Sequence, residues 1–176
     1  LVQDIIQLSR IQTKDVLSNA QPVQVYALVT EAAERCAILA ESREITVTVN
    51  CAENIAVVGE AELLTVAVKN LIDNAIQYSE PKQHVGIGVS VSKNTVQISI
   101  ADVGIGIPKD EQSRIFERFY RVDASRSRQT GGTGLGLSLV KHIVFSHGGE
   151  ITLFSQPKVG STFTIQLPRF DPSLSG

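Results

Sequence analysis

Apolar residues recur at two periods along this chain, and the switch from one to the other divides it into elements. Leu1, Ile5, Leu8 and Ile11 fall at helical spacing over residues 1 to about 17. Ser18 to Pro22 reads as a linker. Tyr26 to about Ser42 is predicted as one amphipathic helix, with Leu28, Val29, Ala32, Cys36 and Leu39 inward. Ile45 to Asn50 alternates with period two and reads as a strand with one buried face, and Val57-Val58 as a short strand before Gly59. A longer helix begins near Glu60 and runs to Ser79, with Leu64, Val68, Leu71 and Ala75 as its apolar stripe. Val85, Ile87, Val89 and Val91, then Val96, Ile98 and Ile100, predict two strands joined at Lys93-Asn94. A helix is expected from Leu135 to Phe145. Ile151 to Ser155 and Thr162 to Leu167 should pair as another hairpin, and Pro168 onward should fray. Antiparallel strands with helices on one face make a two-layer α+β sandwich.

Composition narrows the class without naming a chemistry. The chain has 176 residues, 43% of them hydrophobic, enough for one domain and a short appendage. Its net charge of -2 offers no basic footprint for nucleic acid. No apolar run is long enough to span a bilayer, and no signal-peptide pattern is present. Because the chain begins at Leu1, it reads as a piece of a longer protein. Cys36 and Cys51 lack metal-type spacing and read as thiols in a reducing compartment.

Candidate chemistry lies in three stretches. Asp102-Val-Gly-Ile-Gly-Ile-Pro108 ends the predicted hairpin. Gly131-Gly-Thr-Gly-Leu-Gly-Leu137 opens the following helix. Glycine lets backbone N–H groups approach phosphate, and a helix N-terminus adds free donors and a positive dipole end. Between the two lie Phe116-Glu-Arg-Phe-Tyr-Arg121 and further arginines, a basic segment expected to cover a phosphate ligand. Neither cluster is a P-loop or a dinucleotide fingerprint. The third stretch is on the long helix, where Asn70, Asn74 and Gln77 share a strip beside the apolar stripe. Amides next to a core need partners, and Mg²⁺ held against phosphates would supply them.

Asn70…Asn74…Tyr78, Asp102-x-Gly-x-Gly, Phe116…Phe119 and Gly132-x-Gly-x-Gly stand in the order of the N, G1, F and G2 boxes of two-component sensor histidine kinases. The chain resembles their catalytic, ATP-binding domain, and Gly160-Ser161-Thr162-Phe163 resembles the last glycine motif. The fold implied is that of histidine kinases and of gyrase- and Hsp90-type ATPases, with a mixed, mostly antiparallel sheet. Residues 1–20 resemble the end of the dimerisation hairpin's second helix plus a linker. Residues 21–170 are the ATP-binding domain, and 171–176 a tail. None of His84, His142 and His147 has the phosphoacceptor context, so all three are expected to be surface or packing residues.

Roles follow from the resemblance. Asp102 accepts from the adenine amino group; Gly104 and Gly106 let the backbone pass close to the base. Asn74 ligates Mg²⁺ with help from Asn70. Tyr78 packs on adenine or sugar, or else belongs to the core. Gly132, Gly134 and Gly136 cradle phosphates, and Ile107, Tyr120, Thr133, Leu135 and Leu137 complete the expected set. Phe116 and Phe119 anchor the cover. Many members carry Lys or Arg where this chain has Gln77, and Arg126 or Arg128 is favoured over Arg118 and Arg121 to compensate. No acid or base is assigned, Asn70 being the one catalytic candidate. The implied cofactors are ATP and Mg²⁺. The implied partners are a phosphoacceptor hairpin in a homodimer and a response regulator, with the domain in the cytoplasm and its parent anchored in the membrane. A gyrase- or Hsp90-like ATP hydrolase and a non-enzymatic regulatory module are the alternatives.

Overall fold

The computed structural model describes residues 2, 5, 6, 9, 17–122 and 132–174. Five strands form the main sheet: β2 (Thr46–Asn50), β4 (His84–Ser92), β5 (Thr95–Asp102), β6 (Glu150–Gln156) and β7 (Gly160–Pro168), in the order β2-β4-β5-β7-β6. β2 joins β4 in parallel and all other neighbours are antiparallel. The predicted hairpins are therefore β4–β5 and β6–β7. Ile87, Ile100 and Phe163 stand in register across the sheet, as do Val89, Ile98 and Ile165. Ile87, Ile98, Ile100, Phe163 and Ile165 are buried under the helical layer.

That layer consists of α1 (Val25–Arg35), α2 (Ala37–Ser42), α3 (Ala61–Tyr78) and α4 (Gly136–Ser146). α3 contains neither Gly nor Pro, and it buries Leu64, Val68, Leu71, Ile72 and Ile76. Each such side chain contributes about 1.5–3 kcal/mol by leaving water. The helix stops at Ser79, where the chain turns extended ahead of Pro81. There the Ser79 hydroxyl donates to the Ala75 carbonyl at 2.7 Å.

Three expectations need correction. The single helix over 26–42 is two, because Cys36 adopts φ -96°, ψ -2° and its N–H bonds back only three residues, to the Ala33 carbonyl. Cys36 is still buried, and burial pushes its thiol up to about 12. The linker ends earlier than expected: Gln21–Gln24 is a strand, β1, paired antiparallel with β3 (Ala56–Gly59). Its period is hard to read because only Val23 of its four residues is buried. The segment after Pro168 is tied down rather than frayed at its start. Arg169 bridges Val57, and the Phe170 N–H donates to the Ala56 carbonyl.

Candidate functional site

α3 and α4 lie side by side and antiparallel. The Asn70 Oδ1 lies 3.4 Å from where a Cβ on Gly136 would stand, at the start of α4. At the other end the Glu60 N–H, at the N-cap of α3, donates to Nε2 of His147 at 3.1 Å. This pairing puts the C-terminal half of α3 beside the glycine segment that opens α4. The end of β5 supplies Asp102 to the same region, so the three stretches singled out in the sequence converge.

Asp102 is half-buried. Its Oδ1 accepts from the backbone N–H groups of Gly104 at 2.9 Å and Ser161 at 3.2 Å. Burial raises its pKa from the ordinary carboxylate value, and those two bonds pull it back only in part. Among the described residues Oδ2 has no partner and can accept from a ligand N–H₂ group. Gly104 must be glycine, since a Cβ there would land on the Tyr78 carbonyl at the end of α3. Gly106, at φ +68°, is packed in the same way on the Gln156 carbonyl. The loop is stitched further. The Ile107 N–H donates to the Ser155 hydroxyl at 2.8 Å, and Gln112 donates to the carbonyls of Ile107 and Ser155. Ser155 and Ser161 share a hydroxyl contact at 2.8 Å. The Asp102 loop is thus a rigid floor.

The asparagine strip has open acceptors. Asn70 donates from Nδ2 to the Val66 carbonyl at 3.0 Å, leaving Oδ1 facing Gly136. Asn74 is half-buried, and its amide has no hydrogen-bond partner among the described residues. No cluster of three His, Cys, Asp or Glu side chains able to hold a metal occurs among the described residues. A cation here would therefore draw its remaining oxygens from phosphates and water. Amide oxygens without partners fit Mg²⁺ on that count. Gln77 gives its carbonyl to Arg43 Nη2 at 2.9 Å. Tyr78 is 43% exposed, so it stands at the rim and is no core tyrosine.

The remaining expected residues divide. Arg121 lies against Gly132, its Nη2 3.3 Å from a Cβ there, so this arginine reaches the glycine segment. Arg126 and Arg128, favoured from sequence, lie outside the described residues. Gly134, at φ +72°, packs on the Phe119 backbone, and its carbonyl accepts from the Phe119 N–H at 2.9 Å. Thr133 Oγ1 accepts from the Leu135 N–H. The Leu135 side chain is withdrawn into the core at 1% exposure, so it can offer a ligand only backbone. Leu137 and Ile107 also pack against the core. Tyr120 carries the Arg114 guanidinium 4.2 Å above its ring. Phe116 anchors as expected, edge-on to Phe163. Phe119 does not: its side chain is 65% exposed, and only its backbone, at φ +63°, is engaged. Sequence reasoning missed Ser155, Gln112 and Arg43, which act across long separations. Ser161, which donates its N–H to Asp102, did carry a local signal, the Gly160-Ser161 pair.

The histidines hold no phosphoryl-acceptor arrangement among the described residues. His84 is exposed, with Nε2 2.8 Å from the Thr48 hydroxyl. His147 is 7% exposed. Its Nδ1 donates to the Ile143 carbonyl at 2.7 Å while Nε2 accepts from Glu60, so it is a neutral packing histidine. His142 is half-buried on α4.

Residues 59–171 match the family described as histidine kinase-, DNA gyrase B- and HSP90-like ATPase. The sensor-like histidine kinase SenX3 of Mycolicibacterium smegmatis is 43% identical over 173 residues, which is 98% of this chain and 45% of that protein. The phosphate regulon sensor protein PhoR of Pseudomonas aeruginosa is 34% identical, over 93% of this chain and 37% of its own length. The chain thus spans less than half of these relatives. The solved structure of the mycobacterial sensor histidine kinase MprB is 32% identical with a TM-score of 0.70, covering 86% of this chain and 98% of that one. The chain belongs to the histidine kinase-, DNA gyrase B- and HSP90-like ATPase family, and within it to the ATP-binding catalytic domains of sensor histidine kinases.

Proposed function

We propose that residues 21–170 bind Mg-ATP and present its γ-phosphoryl group to a histidine on a dimerisation hairpin, from which it passes to a response-regulator aspartate. Phosphoryl transfer needs positioning and charge neutralisation more than covalent work by the protein, and the site is built accordingly. Asp102 Oδ2 accepts from the adenine amino group, with Tyr78 at the rim beside it. Asn74 and the Oδ1 of Asn70 would hold Mg²⁺, which supplies charge neutralisation at the phosphate oxygens. Gly132, Thr133, Gly134 and Gly136 offer backbone to the phosphates, and Arg121 adds the charge that Gln77 lacks. The hairpin, the homodimer and a membrane-anchored parent complete this reading.

Asp102 carries the proposal. Partly burying a carboxylate is costly, and this half-buried one keeps an oxygen free at the mouth of a glycine loop. Calorimetric titration with a non-hydrolysable ATP analogue tests it, with and without Mg²⁺. Binding should need Mg²⁺ and weaken at least tenfold in Asp102→Asn, where an N–H₂ donor would face another. It should also weaken as pH falls through the raised Asp102 pKa, since only the ionised form accepts with both oxygens. Equal affinity in the variant would overturn the adenine assignment.

A further inference from the structure

The chain enters the domain over the junction where α3 and α4 meet. Leu17 borders a cleft of about 430 Å³ with Val58, His147, Pro168 and Phe170. Asn19 borders a second cleft, of about 450 Å³, with Pro22, Leu28, Glu60 and Thr65. The entering segment therefore borders two hollows. Between them stands Glu60. Its carboxylate Oε1 accepts from the backbone N–H groups of Ser18 at 2.9 Å and Asn19 at 3.3 Å. Its own backbone N–H is fixed by His147. Gly59 seals the joint, because a Cβ there would run into the His147 ring. Glu60 does not cap its own helix; no side-chain bond closes the N-terminus of α3. The carboxylate is turned away from the helix and toward the entering chain.

We propose that Glu60 is a positioning residue: its carboxylate latches the chain at Ser18 and Asn19 and so sets the direction from which the chain before Ser18 reaches the ATP-binding domain. The latch sits at the opposite end of the α3/α4 pair from Asn70 and Gly136. Through those two helices the linker is referred to the same rigid frame as the nucleotide site. Two N–H groups on one ionised oxygen form charge-assisted bonds, which are directional as well as attractive. This inference rests on the reading of the domain as a phosphoryl donor that must be aimed at an acceptor beyond its own N-terminal side.

The test uses spin labels at Ser9→Cys and Lys93→Cys in a Cys36→Ala, Cys51→Ala background, with pulsed dipolar distances measured for Glu60, Glu60→Gln and Glu60→Ala. Amide exchange at Ser18 and Asn19, and affinity for a non-hydrolysable Mg-ATP analogue, are read on the same proteins. The expected result is a narrow distance distribution with Glu60. It should be largely kept in Glu60→Gln, which retains an acceptor oxygen, and broadened in Glu60→Ala. Exchange at the two amides should be at least tenfold faster in Glu60→Ala, with nucleotide affinity unchanged within about twofold. A distribution and exchange rates unaltered in Glu60→Ala would overturn the latch. So would equal broadening in both variants with a matching loss of thermal stability, since that marks a merely structural role. Failure of every protein to bind the analogue, with the distances behaving as expected, would count against the proposed function and leave the latch standing.

Discussion

Asp102 treats its two oxygens differently: Oδ1 holds Gly104 and Ser161, and Oδ2 stays open among the described residues. The glycines around it divide in the same way. Gly106→Ala puts a methyl into the Gln156 backbone at a positive φ. Overpacking and backbone strain together should cost about 2–4 kcal/mol. Thermal unfolding should show a drop of about 5–10 °C for a domain of this size. Gly136→Ala is the opposite case. The residue is helical and its Cβ would sit 3.4 Å from Asn70 Oδ1, an ordinary contact. Stability should rise by up to about 1 kcal/mol, because alanine is the better helix former. Nucleotide affinity should nonetheless fall, since the methyl would fill space beside Asn70 Oδ1 that the proposed site gives to metal and phosphate. A Gly136→Ala protein that binds Mg-ATP as well as the unmodified one would mean that phosphate does not pass between α3 and α4. That Asp102, the asparagines and the glycines belong to one region was legible in the sequence because their residue types and spacing form a pattern. Ser155 and Gln112 were not, since a serine or glutamine that bonds a loop 43 to 48 positions away has no local pattern.

α3 and α4 were legible as helices from their period, and the four-residue β1 was not, since a strand with one buried side chain shows no period. Their junction was also hidden in the sequence. His147 is neutral because burial lowers its pKa, although its bond to the Ile143 carbonyl and the nearby Glu60 charge oppose this. The folded chain thus binds fewer protons at this site than the unfolded chain does. The stabilisation is complete above the unfolded histidine value of about 6.5 and is lost as pH falls below it through the lowered folded value. Urea unfolding at pH 7.5, 6.5 and 5.5 should show stability declining toward pH 5.5, a window well above ordinary carboxylate titration. In His147→Gln the decline should shrink, with a constant loss of about 1–3 kcal/mol at pH 7.5 for the acceptor and packing no longer matched. A decline equally steep in the variant would place the titrating group elsewhere.

The molecule as a whole gathers Asp102, the asparagines and the glycine segment at one end of a helix pair, over a sheet whose two hairpins followed from alternation and turn residues. What it would offer a bound nucleotide is acceptors, backbone donors and arginine, and the strip of Asn70, Asn74 and Gln77 is itself all amide. Asn70 stands where a carboxylate could act, but an amide cannot take a proton from water. ATP hydrolysis by this chain should therefore be slow even when the site is full. Asn70→Glu tests the geometry directly. The Oδ1 of Asn70 already faces the start of α4, so a carboxylate there would point at the same space. Phosphate release should rise at least tenfold, below the 10²–10⁴ of a well-placed base, because one added methylene misplaces the oxygen. The control is analogue affinity, which must be retained within about tenfold for the rate to be read. If phosphate release stays at the unmodified rate while binding survives, the space between Asn70 and Gly136 does not hold the γ-phosphate. The nucleotide would then lie nearer Tyr78 and Arg43 than the antiparallel helix ends suggest.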